Sequence, residues 1–199
     1  MKILIAGSTG KTGLRLVREL QTRGHSPIAM VRESSDTSGL PEGVEQRRGD
    51  LTDLDDDVTQ GCEVVVFAAG SGGDTSPEMT DKVDRDGAKA LVDLSVSSGV
   101  RRFVMLSSIG AGDPDPQSDL AHYLEAKHAA DEHLMATDLE YAILRPVALT
   151  DDDGTGDVRL GENADPEGEA ARGDVARILA DAAEAPEWAG KVLEMESVK

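Results

Sequence analysis

A doubly wound parallel sheet with helices on both faces, an α/β fold, is what this sequence predicts, on three observations. Short apolar runs alternate with amphipathic helical patterns along nearly the whole chain. The runs are continuous rather than alternating, Val64-Val65-Val66-Phe67 most clearly, as strands buried on both faces tend to be. The first run, Lys2-Ile3-Leu4-Ile5-Ala6, leads straight into Gly7-Ser8-Thr9-Gly10-Lys11-Thr12-Gly13, with glycines three apart, before a helical pattern begins. At 199 residues the chain reads as one domain, with residues 150–172 as a small substrate-side loop region near its C-terminal end.

The glycine-rich stretch reads as strand, tight turn and helix. Such a turn needs glycine where φ is positive or where backbone must approach another element closely, and it aims the first free N–H groups of the helix at whatever lies over the strand end. Gly10-Lys11-Thr12 invites comparison with a nucleoside-triphosphate loop, but that motif needs a glycine five residues before Gly10, where Ile5 stands. What remains is a Gly-x-x-Gly-x-x-Gly variant of the dinucleotide turn, with pyrophosphate as its usual occupant.

The elements follow in order. The first helix, about Thr12 to Arg23, turns Leu14, Leu16, Val17 and Leu20 inward and stops at Gly24. Strand two, Ser26 to Val31, ends at Arg32. In a dinucleotide fold this end meets the adenosine ribose, where an arginine pairs with a 2′-phosphate and an acidic residue accepts from the free hydroxyl. Arg32 therefore favours NADP(H), and the neighbouring Glu33 keeps NAD(H) open. Strand three, Val44 to Arg48, closes on Gly49-Asp50-Leu51-Thr52, where Asp50 is placed either to reach an adenine amino group or to cap the next segment. Strand four, Glu63 to Ala68, runs into Ala69-Gly70-Ser71-Gly72-Gly73, small residues that leave room for a ligand. A long helix over Pro77 to Ser98 carries Met79, Val83, Gly87, Leu91 and Leu94 on one face. Strand five, Arg102 to Leu106, delivers Ser107 and Ser108. A helix over Leu120 to Thr137 holds Tyr123 and Lys127 one turn apart. Strand six, Glu140 to Leu144, ends in Arg145-Pro146; an acidic loop follows, then a helix begun or capped by Asp174, and a last strand over Val192 to Met195.

Charge narrows the partners. A formal charge of −19, from 39 acidic against 20 basic residues, opposes binding to nucleic acid or to an anionic membrane surface. The excess is spread along the chain and rich in aspartate, and only seven of the basic residues are lysine. Such a coat fits either a halophilic protein, in which molar salt screens its self-repulsion, or an ordinary acidic cytosolic one. The single cysteine, Cys62, excludes an internal disulfide, and no apolar run has signal-peptide or membrane-spanning character, so the cytoplasm is the expected compartment. No metal is expected: the histidines lie at no ligand spacing, and the calcium-loop-like run from Asp151 to Glu162 follows a strand rather than a helix.

The residues that bear chemistry are Ser108, or its neighbour Ser107, with Tyr123 and Lys127. A phenol, with an unperturbed pKa of about 10, exchanges protons poorly at neutral pH, and an ammonium one helical turn away stabilises its phenolate. Tyr123 is then placed to protonate a carbonyl oxygen as hydride arrives, with a serine hydroxyl bonded to that same oxygen. Together, Gly7-x-x-Gly10-x-x-Gly13, Gly49-Asp50-Leu51, Ala68-Ala69-Gly70, Leu106-Ser107-Ser108, Tyr123-x-x-x-Lys127 and Arg145-Pro146 resemble the atypical short-chain dehydrogenase/reductase superfamily, over nearly the whole chain.

That resemblance implies a Rossmann fold in which Gly7, Ser8, Thr9, Gly10, Lys11, Thr12 and Gly13 hold the pyrophosphate, Arg32 the 2′-phosphate, and Asp50 with Leu51 the adenine. It places Ala68, Ala69, Gly70, Ser107 and Pro146 along the cofactor, Lys127 on the nicotinamide ribose, and Tyr123 and Ser108 on the substrate. Val147-Ala148 stands where similar chains often show a glycine after the Arg-Pro pair. The expected activity is NADP(H)-preferring hydride transfer to or from a small carbonyl or alcohol. The alternatives are a non-catalytic, NmrA-like redox sensor and an isomerase or dehydratase that keeps its cofactor. The short region after Thr150 leaves little space for a nucleotide-sugar, and both a monomer and a homodimer are compatible with the sequence.

Overall fold

The computed structural model describes residues 1–72 and 76–198. Gly73, last of the small residues expected after strand four, lies outside the described residues. The strands are β1 (Lys2–Ala6), β2 (Ser26–Val31), β3 (Glu45–Arg48), β4 (Val64–Phe67), β5 (Arg102–Leu106), β6 (Glu140–Pro146), β7 (Ala148–Thr150), β8 (Val158–Leu160), β9 (Glu169–Ala171) and β10 (Lys191–Ser197). The α-helices are α1 (Lys11–Thr22), α2 (Pro77–Thr80), α3 (Ala88–Ser97), α4 (Ala121–Met135) and α5 (Arg172–Glu184). The main sheet has eight strands in the order β3-β2-β1-β4-β5-β6-β10-β8, all parallel except the edge strand β8, and β7 pairs with β9 beside it. The order reverses between β1 and β4, which opens a crevice at their carboxyl ends.

Strand parity sorts the core into two layers. Ile3, Ile5, Val64, Val66 and Val104 face α1 and α5, where Leu16, Val17, Leu20, Val175 and Leu179 meet them. Leu4, Val65, Phe67, Phe103 and Met105 face the other way, onto Leu91 and Val92 of α3 and Ala130 and Leu134 of α4. Burial of these side chains on both faces is the main favourable term in folding. A charged cluster adds to the α1–α5 contact: Arg23 meets Glu19, Asp181 and Glu184, and His25 meets Glu184 at 2.7 Å.

Two expectations change. The helix over Pro77 to Ser98 is interrupted by a π-helical segment, Asp81–Gly87, between α2 and α3. The wider winding puts Thr80, Asp84, Gly87, Leu91 and Val92 inside and leaves Met79, Val83 and Leu94 half-buried. Residues 150–172 are more ordered than a solvated loop, since they contain β8 and β9 and are anchored from both sides. Arg15 meets Asp153 and donates to the Asp151 carbonyl, and Arg172 and Lys11 both reach the Asp151 carboxylate. Asp174 is the third residue of α5 and does not cap it: it is buried, accepting from Gly156 N at 2.8 Å and Ser197 Oγ at 2.7 Å and paired with Arg177. Among the described residues no helix is long and apolar enough to cross a membrane.

Candidate active site

The turn after β1 is built by close approach. Gly7 has φ +82°, and a Cβ there would sit 2.6 Å from Ala69 N; a Cβ on Gly13 would sit 2.0 Å from Gly7 O. Glycine alone satisfies both contacts, so α1 starts hard against the β1 and β4 ends. Gly10 is the N-cap and no side chain caps the helix, which leaves its first N–H groups facing the crevice.

Two cavities meet over this turn. The first, of about 290 Å³, runs along Gly7, Thr9, Met30, Arg32, Asp50 and Leu51. The second, of about 610 Å³, is lined by Lys11, Thr12, Ser107, Tyr123, Lys127 and Arg172 among others. Gly10, Ala68, Ala69, Gly70 and Ser71 belong to both, so the cavities form one continuous cleft. At its outer end the Arg32 guanidinium makes no hydrogen bond or close ion pair among the described residues, whereas Glu33 is taken by Arg48 at 3.0 Å. Asp50 Oδ1 accepts from Thr52 N at 2.9 Å and from Thr52 Oγ1 at 2.8 Å, bonds that hold its carboxyl below the usual range.

Four of the expected site residues fall outside this cleft. Ser8 is fully buried, and its hydroxyl donates to Met30 O at 2.8 Å, tying the turn to β2. Gly13 makes packing contacts only, and Pro146 is buried where β6 runs beside β10. Ser108 lies outside the lining, and Ser107 takes the place expected of it. The reason is parity: Ser107 continues the face of Phe103 and Met105, towards α4, whereas Ser108 continues the opposite face.

Behind Ser107 and Lys127, which line the larger cavity, lie buried, paired charges. Ser107 Oγ donates to Asp131 Oδ2 at 2.8 Å, and Arg145 donates to the same oxygen through Nε at 3.1 Å and Nη2 at 2.9 Å. Burial pushes the Asp131 carboxyl up, against the opposing pull of Arg145 and Ser107. Lys127 is 2% exposed, with Nζ 3.1 Å from Asp84 Oδ1 and 3.2 Å from Leu106 O. It lies 5.8 Å from the centre of the Tyr123 ring, which is half-buried at the cavity wall. Sequence reasoning missed Asp84 and Asp131. Asp131 stands one helical turn after Lys127, which was a usable signal.

The profile of the NAD(P)H-binding family matches residues 7–186. The chain belongs to that family. An uncharacterized sugar epimerase of Bacillus subtilis, YhfK, is 35% identical over 185 residues, covering 90% of this chain and 86% of its own length. A solved Bacillus halodurans protein described as an NAD-dependent epimerase/dehydratase superposes with a TM-score of 0.92 at 32% identity, over 100% of this chain and 95% of its own. The oxidoreductase ylbE of Lactococcus lactis gives 0.87 at 30% identity, over 100% and 92%. The chain is thus an NAD(P)-binding Rossmann protein of the oxidoreductase and epimerase type, and the atypical short-chain dehydrogenase/reductase resemblance fits.

The Asp131–Arg145 pair gives a stability test. Arg145→Met leaves a buried carboxylate without its cation and should cost about 3 kcal/mol at neutral pH, measured by urea unfolding. A carboxyl raised in the fold takes up its proton at higher pH than in the unfolded chain. The cost of ionised Asp131 is therefore present above the folded-state pKa and removed as pH falls below the usual carboxylate range. The deficit of the variant should shrink in the same direction. A deficit that is the same at pH 4 and pH 7 would contradict this account.

Proposed function

We propose that this protein is an NADP(H)-preferring oxidoreductase of small carbonyl- or alcohol-type substrates. The observation that carries the reading is the convergence of Ser107, Tyr123 and Lys127 on a cavity continuous with the groove beside Arg32. The cleft fits the cofactor: it has an uncapped helix N-terminus over a glycine cradle, and a guanidinium free for a phosphate at its outer end. When bound, the nicotinamide cofactor supplies or accepts a hydride.

In this reading Lys11 and Thr12 take the pyrophosphate on backbone N–H groups, with Gly7, Thr9 and Gly10, whose own N–H closes the turn onto Gly7 O, beside them. Arg32 pairs with the 2′-phosphate, and Asp50 and Leu51 border the adenine. Ala68, Ala69 and Gly70 floor the passage between the two cavities. An ammonium has three N–H donors; Leu106 O takes one, Asp84 answers the charge as an ion pair, and donors remain for the nicotinamide ribose. Tyr123 gives its proton to the substrate oxygen in reduction and takes it back in oxidation. Ser107 commits its own proton to Asp131 and presents lone pairs to the cavity, so it accepts from a substrate hydroxyl or from Tyr123. The names of the Bacillus relatives favour a second reading, epimerisation or dehydration with retained cofactor, which would use the same Tyr123 and Lys127. We place the protein in the cytoplasm of a cell with high internal salt, on the dispersed −19 charge; a higher melting temperature in low salt than in molar KCl would refute the salt part.

Two variants test the proposal. With nicotinamide fluorescence for the reduced cofactors and calorimetry for the oxidised ones, NADPH should bind tighter than NADH. Arg32→Ala should weaken NADPH about tenfold or more while leaving NADH nearly unchanged. In a carbonyl and quinone screen, Tyr123→Phe should lower turnover by about 10²- to 10⁴-fold at nearly constant cofactor affinity. Normal turnover in that variant removes Tyr123 from the mechanism. Cofactor binding without turnover of any substrate, tighter for the oxidised form, would instead favour a redox sensor.

A further inference from the structure

Asp84 lies beneath the cavity, 0% exposed, on the segment where the helix changes its winding. A π turn gives up regular α-helical hydrogen bonding, and such turns are found mostly at functional sites. Here it separates two sets of charges. Asp81, Arg85 and Asp86 stay on the outer side, where Arg85 meets Asp81 at 2.8 Å and Asp86 at 2.8 Å, and His122 meets Asp81 at 3.2 Å. Of the segment's five charged residues, Asp81, Lys82, Asp84, Arg85 and Asp86, only Asp84 is carried fully inward.

Its two oxygens have different partners. Oδ1 lies 3.1 Å from Lys127 Nζ, and Oδ2 accepts from Ser71 N at 3.0 Å. Ser71 belongs to the stretch that lines both cavities. Asp84 is the carboxylate in contact with the ammonium, and further groups surround it. From α4 come Tyr123 and Asp131; one oxygen of Asp131 is engaged by Arg145 of β6 and by Ser107, and its charge also favours the ammonium. From β4 comes the Phe67 ring, 5.2 Å away, and from β5 the Leu106 carbonyl. An ammonium with so little solvent and no touching anion sheds its proton. Burial does pull the Lys127 proton affinity down, but Tyr123 and Asp84 outweigh it and the net direction is up.

We propose that Asp84 is a positioning residue for the reaction: it keeps Lys127 protonated and its Nζ beside Tyr123, and through Ser71 it fixes that charge to the loop shared by the two cavities. The proposal rests on Tyr123 and Lys127 being the working pair. Asp84→Asn is the informative substitution, because the amide oxygen can still accept from Ser71 N while its NH₂ turns a donor towards the Lys127 ammonium.

The experiment is a pH titration of lysine ammonium groups by ¹⁵N-selective NMR, practicable with seven lysines, alongside the pH profile of kcat. In Asp84→Asn the Lys127 proton affinity should fall about tenfold or more. The basic limb of kcat should move to lower pH by the same factor, because turnover is lost as pH rises through a lowered lysine pKa. An unchanged Lys127 titration in the folded variant overturns the proposal, and so does a shifted titration with an unmoved kcat limb. If Asp84→Asn does not fold, Asp84→Asn with Lys127→Met, which removes both charges, should fold and recover the lost melting temperature; equal failure of the pair overturns the proposal. The NMR titration reads the Asp84–Lys127 contact without turnover, whereas Tyr123→Phe reads the proposed function, so the two can fail separately.

Discussion

The rest of this structure depends on the contact between the start of α1 and the turn after β1. With Gly13 seated on the Gly7 carbonyl and Gly7 seated on the Ala68–Ala69 backbone, there is no depth left for a side chain at either position. The helix N-terminus is thereby held at the carboxyl ends of β1 and β4, where the strand order reverses. Both cavities border this point because small residues occupy it from both strands. Ser8 adds a bond from the turn to Met30 of β2, so three neighbouring strands fix one short loop. A cleft made of backbone N–H groups and glycine surface suits a phosphate more than a substrate, and the chemical groups are therefore supplied from elsewhere, by β5, β6 and α4.

Those groups are arranged under a strict charge constraint. The chain carries −19 overall, yet the charges buried behind the cavity floor come in matched pairs, Lys127 with Asp84 and Arg145 with Asp131. An unpaired charge at such depth would cost several kcal/mol, more than most single interactions contribute. Pairing leaves the floor without net charge while keeping an ammonium at a set place. At the rim the same balance holds with solvent present: Lys11 and Arg172 share the Asp151 carboxylate, an exposed arrangement that organises the loop more than it stabilises the fold.

Most of the architecture was legible in the sequence because periodicity and glycine placement are local signals. Continuous apolar runs gave β1, β4 and β5 to within a residue or two, and Gly7, Gly10 and Gly13 located the turn. The cleft-lining positions Arg32, Asp50, Tyr123 and Lys127 followed from their distance to strand ends and helix turns. The π segment was not legible, since winding is decided by what packs beneath it, here a carboxylate drawn to a buried lysine. Ser107 was within reach: counting alternate residues from Phe103 and Met105 turns it towards α4 and turns Ser108 away. Pairing between Asp131 and Arg145 needed the third dimension, although both stand on faces that periodicity assigns to the same side of the sheet.

The direction of the hydrogen bonds follows from these pairs. A carboxylate can only accept, so Ser107 must donate to Asp131, and its oxygen is left to accept from the cavity side. An ammonium can only donate, so Lys127, ion-paired with Asp84 and bonded to Leu106 O, has donors left over. The Tyr123 hydroxyl, on a residue lining the same cavity, does both and has no hydrogen-bond partner among the described residues. The cavity thus presents one fixed acceptor, one fixed donor and one group able to change roles. Such a set accommodates an oxygen atom that gains or loses a proton without any neighbouring charge having to move. It is the burial of Asp84 and Asp131, neither of which needs to touch a substrate, that sets the first two.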